Sequence, residues 1–204
     1  MSEHAAIALY ADTRQFDFSL ILAFGREPNS PHGKTRGVNL YDFNDAPSCA
    51  FWNIAYRTVG RAASNLLSTS KLKTICEENR ASPIAFADAL PIGLKNSEKS
   101  KFIKRMAISD SEINEHIEEI FSHRDIINRI SIILLSGIHT PEFIRSKHKI
   151  KEMASDRKIP TIDVPFFYGT NVRKIDSCIE NSESNLIRNT MNSFLEKFEN
   201  GTGE

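Results

Sequence analysis

Phe18-Ser19-Leu20-Ile21-Leu22-Ala23-Phe24, stopped by Gly25, is an apolar run with a single polar member. A short run of this kind, closed by glycine, fits a strand buried on both faces, as in a parallel sheet; a half-exposed strand would alternate. Three more runs share the pattern. They are Ile84-Ala85-Phe86-Ala87 after Ser82-Pro83, Ile130-Ser131-Ile132-Ile133-Leu134-Leu135 before Ser136-Gly137, and Thr161-Ile162-Asp163-Val164 after Pro160. Between them the spacing changes to three and four. Phe51, Ile54, Ala55, Val59, Ala62 and Leu66 follow Asp45-Ala46-Pro47-Ser48, a helix start. Ser109-Asp110-Ser111-Glu112 is a capping-box pattern ahead of Ile113, Ile117, Ile120 and Phe121. A last amphipathic helix is expected from about Glu183 to Phe198, on Leu186, Ile187, Met191, Phe194 and Leu195. Strands alternating with helices predict an α/β chain: a three-layer α/β/α domain around a four-stranded parallel sheet. Asn96 to Lys104 and Ser146 to Lys158 read as polar, Lys-rich connections. Residues 1–204 read as a single domain, with 196–204 a frayed tail.

Composition narrows the function classes. The 204 residues carry 26 Lys plus Arg against 26 Asp plus Glu, so the formal charge is zero; 40% are hydrophobic and 25% charged. Such a balance excludes a polycation that binds nucleic acid by bulk electrostatics. No apolar run approaches the roughly 20 residues of a membrane helix, and the N-terminus lacks the basic-then-apolar pattern of a signal peptide. Cys49, Cys76 and Cys178 are odd in number and far apart, which argues against a disulfide framework and a Cys-based zinc site. No His pair has metal-ligand spacing. The expectation is a cytoplasmic monomer with no cofactor, no metal and no membrane contact.

In a parallel sheet of this type, ligands bind outside the carboxyl ends of the strands. After the first strand stand Gly25-Arg26-Glu27-Pro28-Asn29, then Gly33 and Gly37, then Val38-Asn39-Leu40-Tyr41-Asp42-Phe43. Glycines after a strand only permit tight turns; the spacing is more specific. It resembles the first motif of the uracil-DNA glycosylase superfamily, a strand followed by G-Q-D-P-Y-H, with glycines at the ninth and thirteenth positions and then L-A-F. Pro47-Ser48 and Asn53 are similar to the opening of that family's next helix.

The resemblance implies a uracil-DNA glycosylase-like fold over the whole chain and hydrolysis of an N-glycosidic bond after the nucleotide is flipped into a pocket. The transition state is cationic at the sugar, so a carboxylate near C1′ stabilises it and orients water. Glu27 falls on the family's acidic position. Its alternative role is a turn residue paired with Arg26. Asn29 falls on a Tyr that blocks the C5 methyl of thymine, and a smaller residue there implies broader base tolerance; a local turn cap is the alternative. Leu40 takes the place of the aromatic that stacks on the base, with Tyr41 or Phe43 able to supply a ring or to belong to the core. Gly25, Arg26, Pro28 and Val164 complete the expected base pocket.

Elsewhere the pattern departs. The family's second motif, H-P-S-P-L-S, aligns with Val164-Pro165-Phe166-Phe167-Tyr168-Gly169. Valine cannot donate the hydrogen bond of the family's imidazole, a loss worth about 3 kcal/mol in the transition state. Pro165, Phe166, Phe167 and Tyr168 remain candidates for a wedge or stacking platform. Ser136-Gly137-Ile138-His139-Thr140-Pro141 offers a second register, which makes His139 a catalytic candidate. The family's base-reading Asn aligns with Ala87, and Asp88 follows; an ionised Asp only accepts hydrogen bonds. Gly33, Lys34, Arg36, Gly37, Arg173 and Lys174, with Arg57 and Arg61, form the expected nucleic-acid face, most simply DNA. The remaining histidines, His116 among them, read as solvated.

Two function classes follow. One is a hydrolase that excises a uracil-related or otherwise altered base through Glu27, with Asp88 and His139 in support. The other keeps the pocket without the chemistry and binds nucleic acid, a nucleotide or modified base, or a protein partner.

Overall fold

The computed structural model describes residues 7–26, 50–62, 67–91, 101–167, 169–180 and 184–199. Strands β1 (Leu20–Gly25), β2 (Ile84–Asp88), β3 (Ile130–Ser136) and β4 (Thr161–Val164) form one parallel sheet in the order β2-β1-β3-β4. Every residue of β1 is buried, which explains its continuous apolar run. The strand starts at Leu20. Phe18 precedes it and packs in an aromatic cluster, its ring 5.1 Å from that of Phe194.

Helices α1 (Ala50–Ala62), α7 (Val172–Glu180) and α8 (Ser184–Glu199) pack together on one face, with α8 against β1 and β3 and α7 against β4. Helices α4 (Asp110–Ser122) and α6 (Ile144–Asp156) pack on each other over the other face, as right-handed crossovers require. The remaining helices are α2 (Thr69–Asn79), α3 (Lys101–Met106) and α5 (Arg124–Ile127). The sheet is therefore the middle of three layers.

The Ser109 capping box forms in full: the Ser109 side chain accepts from the Glu112 N–H, and the Glu112 carboxylate accepts from the Ser109 N–H at 2.8 Å. Helix α8 runs through Glu199, so the start of the expected tail is ordered secondary structure. Among the described residues no helix is long and apolar enough to cross a membrane.

The expected connection Ser146–Lys158 is corrected: most of it is helix α6. Its apolar contribution is narrow, chiefly Ile150 and Ala154, and its lysines are absorbed by ion pairs. Lys147 and Lys151 both reach Asp163 of β4, at 2.7 and 3.0 Å, and Lys149 reaches Glu118 of α4 at 2.9 Å. Lysine stems cover apolar surface while their charges find partners, so a helix this polar still docks. Lys158, in the left-handed conformation, turns the chain toward β4. The other expected connection also contains structure, since α3 begins at Lys101.

Candidate functional site

All four strands run the same way, so Gly25, Asp88, Ser136 and Val164 end on one edge of the sheet. The strand order reverses between β1 and β3, the place where a crevice opens in such sheets. What gathers there can be followed from one strand end to the next.

Gly25 lies opposite Asp88 in the β1–β2 register. Phe86 and Asp88, two apart on β2, share a face and lean over Gly25: a Cβ on Gly25 would sit 2.8 Å from Phe86 Cζ and 3.1 Å from Asp88 Oδ1. The missing side chain is what lets the Asp88 carboxyl approach the β1 backbone. The backbone around Asp88 is held from two sides. The Ala89 N–H donates to the Gly25 carbonyl at 3.0 Å, and His116 Nε2 lies 2.8 Å from the Asp88 carbonyl oxygen. A carbonyl only accepts, so His116 carries its proton on Nε2. Burial pushes the His116 imidazole below its usual pKa, partly opposed by this bond. The expectation of a solvated His116 is thereby corrected. Ile113, His116, Ile117 and Ile120 follow the i, i+3, i+4, i+7 pattern of an inward helix face, a signal already present in the sequence.

From β1 the chain continues into Arg26, whose Nε donates to the Gly137 carbonyl at 3.2 Å and so bridges the strand-order reversal. Its guanidinium lies 4.7 Å from the Phe166 ring centroid and 5.8 Å from that of Phe143, within cation–π range. Arg105 of α3 approaches Phe143 as well, at 5.3 Å, and pairs with Glu142 at 3.6 Å. The β3 and β4 ends are laced to each other: the Gly137 N–H donates to the Val164 carbonyl and the Phe167 N–H to Ser136 Oγ, both at 2.9 Å.

No family model, curated protein or solved structure matches this chain. The candidate site therefore stands on its own residues.

Of the residues expected from sequence, Gly25, Arg26, Asp88, Pro165 and Phe166 lie along this edge. Val164 lies there too, but its side chain is 1% exposed and points into the core. Phe167 is fully buried, which corrects its expected role as a wedge or platform; its ring contributes to packing. His139 is exposed on the loop after β3, and Arg173 and Lys174 are exposed on the first turn of α7. Glu27, Pro28, Asn29, Gly33, Lys34, Arg36, Gly37, Leu40, Tyr41, Phe43 and Tyr168 lie outside the described residues.

Arg57 and Arg61 do not form an open basic face. Arg57 makes a two-pronged bond with Asp176 at 2.8 and 2.9 Å, and Arg61 adds a contact at 3.3 Å, joining α1 to α7. The hydrogen bond from Arg57, outweighing partial burial, holds the Asp176 carboxyl below its usual pKa. A depressed carboxylate stabilises the fold above its unfolded pKa, and the benefit is lost as pH falls through the folded value. Asp176→Asn is therefore expected to cost about 1–2 kcal/mol at pH 7. The gap from the parent should begin to narrow near the ordinary carboxyl range, about pH 4, and close as pH falls further through the lower folded value. Thermal melts of both proteins between pH 3 and pH 7 check this; a gap that does not change with pH contradicts it.

Sequence reasoning missed His116, Phe143, Arg105, Glu142 and Asp176. Apart from the helical period at His116, their importance comes from contacts between elements distant in sequence.

Proposed function

We propose that the chain is an N-glycosidic hydrolase that removes an altered base from nucleic acid at the carboxyl edge of its sheet. Glu27 stabilises the cationic sugar and positions the attacking water. The observation that carries this reading is the convergence of three strand ends. Gly25 makes room for the Asp88 carboxyl, and Arg26 ties the β1 end to the loop after β3. Glu27 is the next residue of the chain after Arg26. The reading also draws on the likeness of Gly25-Arg26-Glu27-Pro28 to the first motif of the uracil-DNA glycosylase superfamily.

The chemistry divides among a few groups. A carboxylate beside C1′ lowers the barrier electrostatically in a site sheltered from water. Asp88 accepts hydrogen bonds from the base, which orients the leaving group. The Phe166–Arg26 stack stands between the β1 and β4 ends of this edge. No imidazole stands at Val164, so leaving-group stabilisation is weaker than in enzymes that have one there, and turnover is expected to be slow.

The test is an oligonucleotide panel, each member carrying one altered base, incubated with protein in excess and then treated with alkali to cut at abasic sites. Scission at one class of base is the expected result. No scission across the panel overturns the reading. The buried, apolar Val164 favours a second reading, a site that binds a base without excising it; saturable binding at low salt with no scission would select it.

A further inference from the structure

We propose that α3, the first turn of α4 and the start of α6 form a two-fold interface between two copies of this chain, in place of the monomer expected from sequence. The inference is independent of base excision. It concerns a neighbouring surface and would stand if the carboxyl edge held no nucleic acid.

Among the described residues, the large apolar side chains left exposed are Ile103 at 67%, Met106 at 45% and Ile144 at 38%. They lie together. Ile103 and Met106 are three apart on α3 and so share a helix face. Arg145 donates to the Met106 carbonyl at 3.2 Å and to the Asp110 carboxylate at 2.7 Å, which brings its neighbour Ile144 to the same stretch of surface. Ile108 and Phe143, close by in sequence, are buried, so the chain here commits some apolar residues to the core and leaves these three out. Apolar side chains gathered on a charged surface mark a contact site.

The charges on either side say what covers it. Helix α3 carries Lys101, Lys104 and Arg105 and no acid. Residues 107–123 carry Asp110, Glu112, Glu115, Glu118 and Glu119 and no Lys or Arg. Along the chain, base therefore comes before Met106 and acid after it. Pairs with Glu142, Arg145 and Lys149 reduce this contrast without reversing it, and Asp110 keeps 75% of its side chain exposed. A polyanion or an anionic membrane laid over the patch would meet the acids. A second copy, related by a two-fold axis through the patch, meets opposite charge at both ends, because α3 of each copy faces the acidic turn of the other. The formal charge of zero leaves no long-range repulsion to oppose the pairing. A standard interface buries about 800 Å² per copy, more than three side chains supply, so polar contacts make up the rest and the dimer is weak, with a Kd of about 1–100 μM.

Sedimentation velocity on the full chain from about 1 to 500 μM reads the mass across the range in which such an interface titrates. The expected result is a monomer–dimer equilibrium. Ile103→Ser and Met106→Ser should each weaken it by about tenfold or more, with Tm unchanged to within about 2 °C because both side chains are exposed. Two charge-swapped chains test the pairing itself: Lys101→Glu with Lys104→Glu, and Asp110→Lys with Glu115→Lys. Each alone sets like charge against like and stays monomeric over the same range; mixed in equal amounts, they associate. Thermal melts identify any variant that fails to fold, and the apolar variants then decide. A parent that is monomeric at the top of the range overturns the inference. So does a dimer that both serine variants leave intact, or a pair of folded swapped chains that does not associate when mixed.

Discussion

Replacing Glu27 with Gln is expected to lower single-turnover base excision by a hundredfold or more while changing oligonucleotide affinity by less than about threefold. Gln has nearly the same shape and keeps one acceptor oxygen but carries no charge. What it removes is the interaction that grows as the sugar becomes cationic, and that interaction is absent from the bound ground state. A loss confined to the rate is the signature of differential transition-state stabilisation. Removing one well-placed electrostatic partner costs about 3–4 kcal/mol in enzymes with preorganised sites, hence the size of the effect. Oligonucleotide binding measured by fluorescence anisotropy supplies the affinity, and alkali-revealed scission supplies the rate. A rate within about tenfold of the parent would mean that Glu27 is not the group opposing the sugar charge.

Gly137→Ala is expected to be the most damaging single-methyl change along the site edge. Gly137 has φ +71°, a conformation that L side chains avoid at a cost of about 1–2 kcal/mol. An added Cβ would also lie 2.6 Å from Phe166 Cβ and 3.0 Å from Phe166 Cα. The second contact is with backbone, which cannot rotate away, so the β4 loop must shift; overpacking of this kind adds about 1–3 kcal/mol. The total, about 3 kcal/mol, corresponds to a fall in Tm of roughly 6–12 °C for a chain of this size. The same shift would disturb the Gly137 carbonyl that accepts from Arg26, so excision should fall as well. Gly169→Ala is the control, because among the described residues nothing lies within 4 Å of the added methyl and the φ is outside the left-handed region. It should leave Tm unchanged to within about 2 °C. Equal melting of the two variants would contradict the packing described at this edge.

Legibility from sequence followed the range of the determining interactions. Strands β1, β2 and β3 could be found because burial on both faces leaves a local mark, continuous apolar runs between glycine and proline, whereas the edge strand β4 alternates, with Asp163 exposed, and was marked by the proline before it. The Ser109 cap could be found because its two hydrogen bonds span three residues. Helix α6 was missed because its stability comes from partners in other elements: Asp163 on β4 and Glu118 on α4 take up its lysines. The site followed the same division. Strand ends predicted Gly25, Asp88 and the Val164 loop as places to look. They could not say that Phe167 turns into the core while Phe166 faces Arg26, since two adjacent phenylalanines in a loop carry no periodic pattern that assigns either to a face. His116 is intermediate: its helical position marks an inward face, but its partner, the Asp88 carbonyl, is 28 residues away.

Hydrogen–deuterium exchange on the protein alone and with an oligonucleotide carrying a non-hydrolysable abasic-site analogue tests most directly whether the carboxyl edge holds the nucleic acid. The predicted result is slowed exchange in Gly25–Arg26, Asp88–Ala89 and Gly137–His139, with β-strand interiors and the outer faces of α4 and α6 unchanged. Protection confined to those helices, or no protection at saturating oligonucleotide, would contradict it.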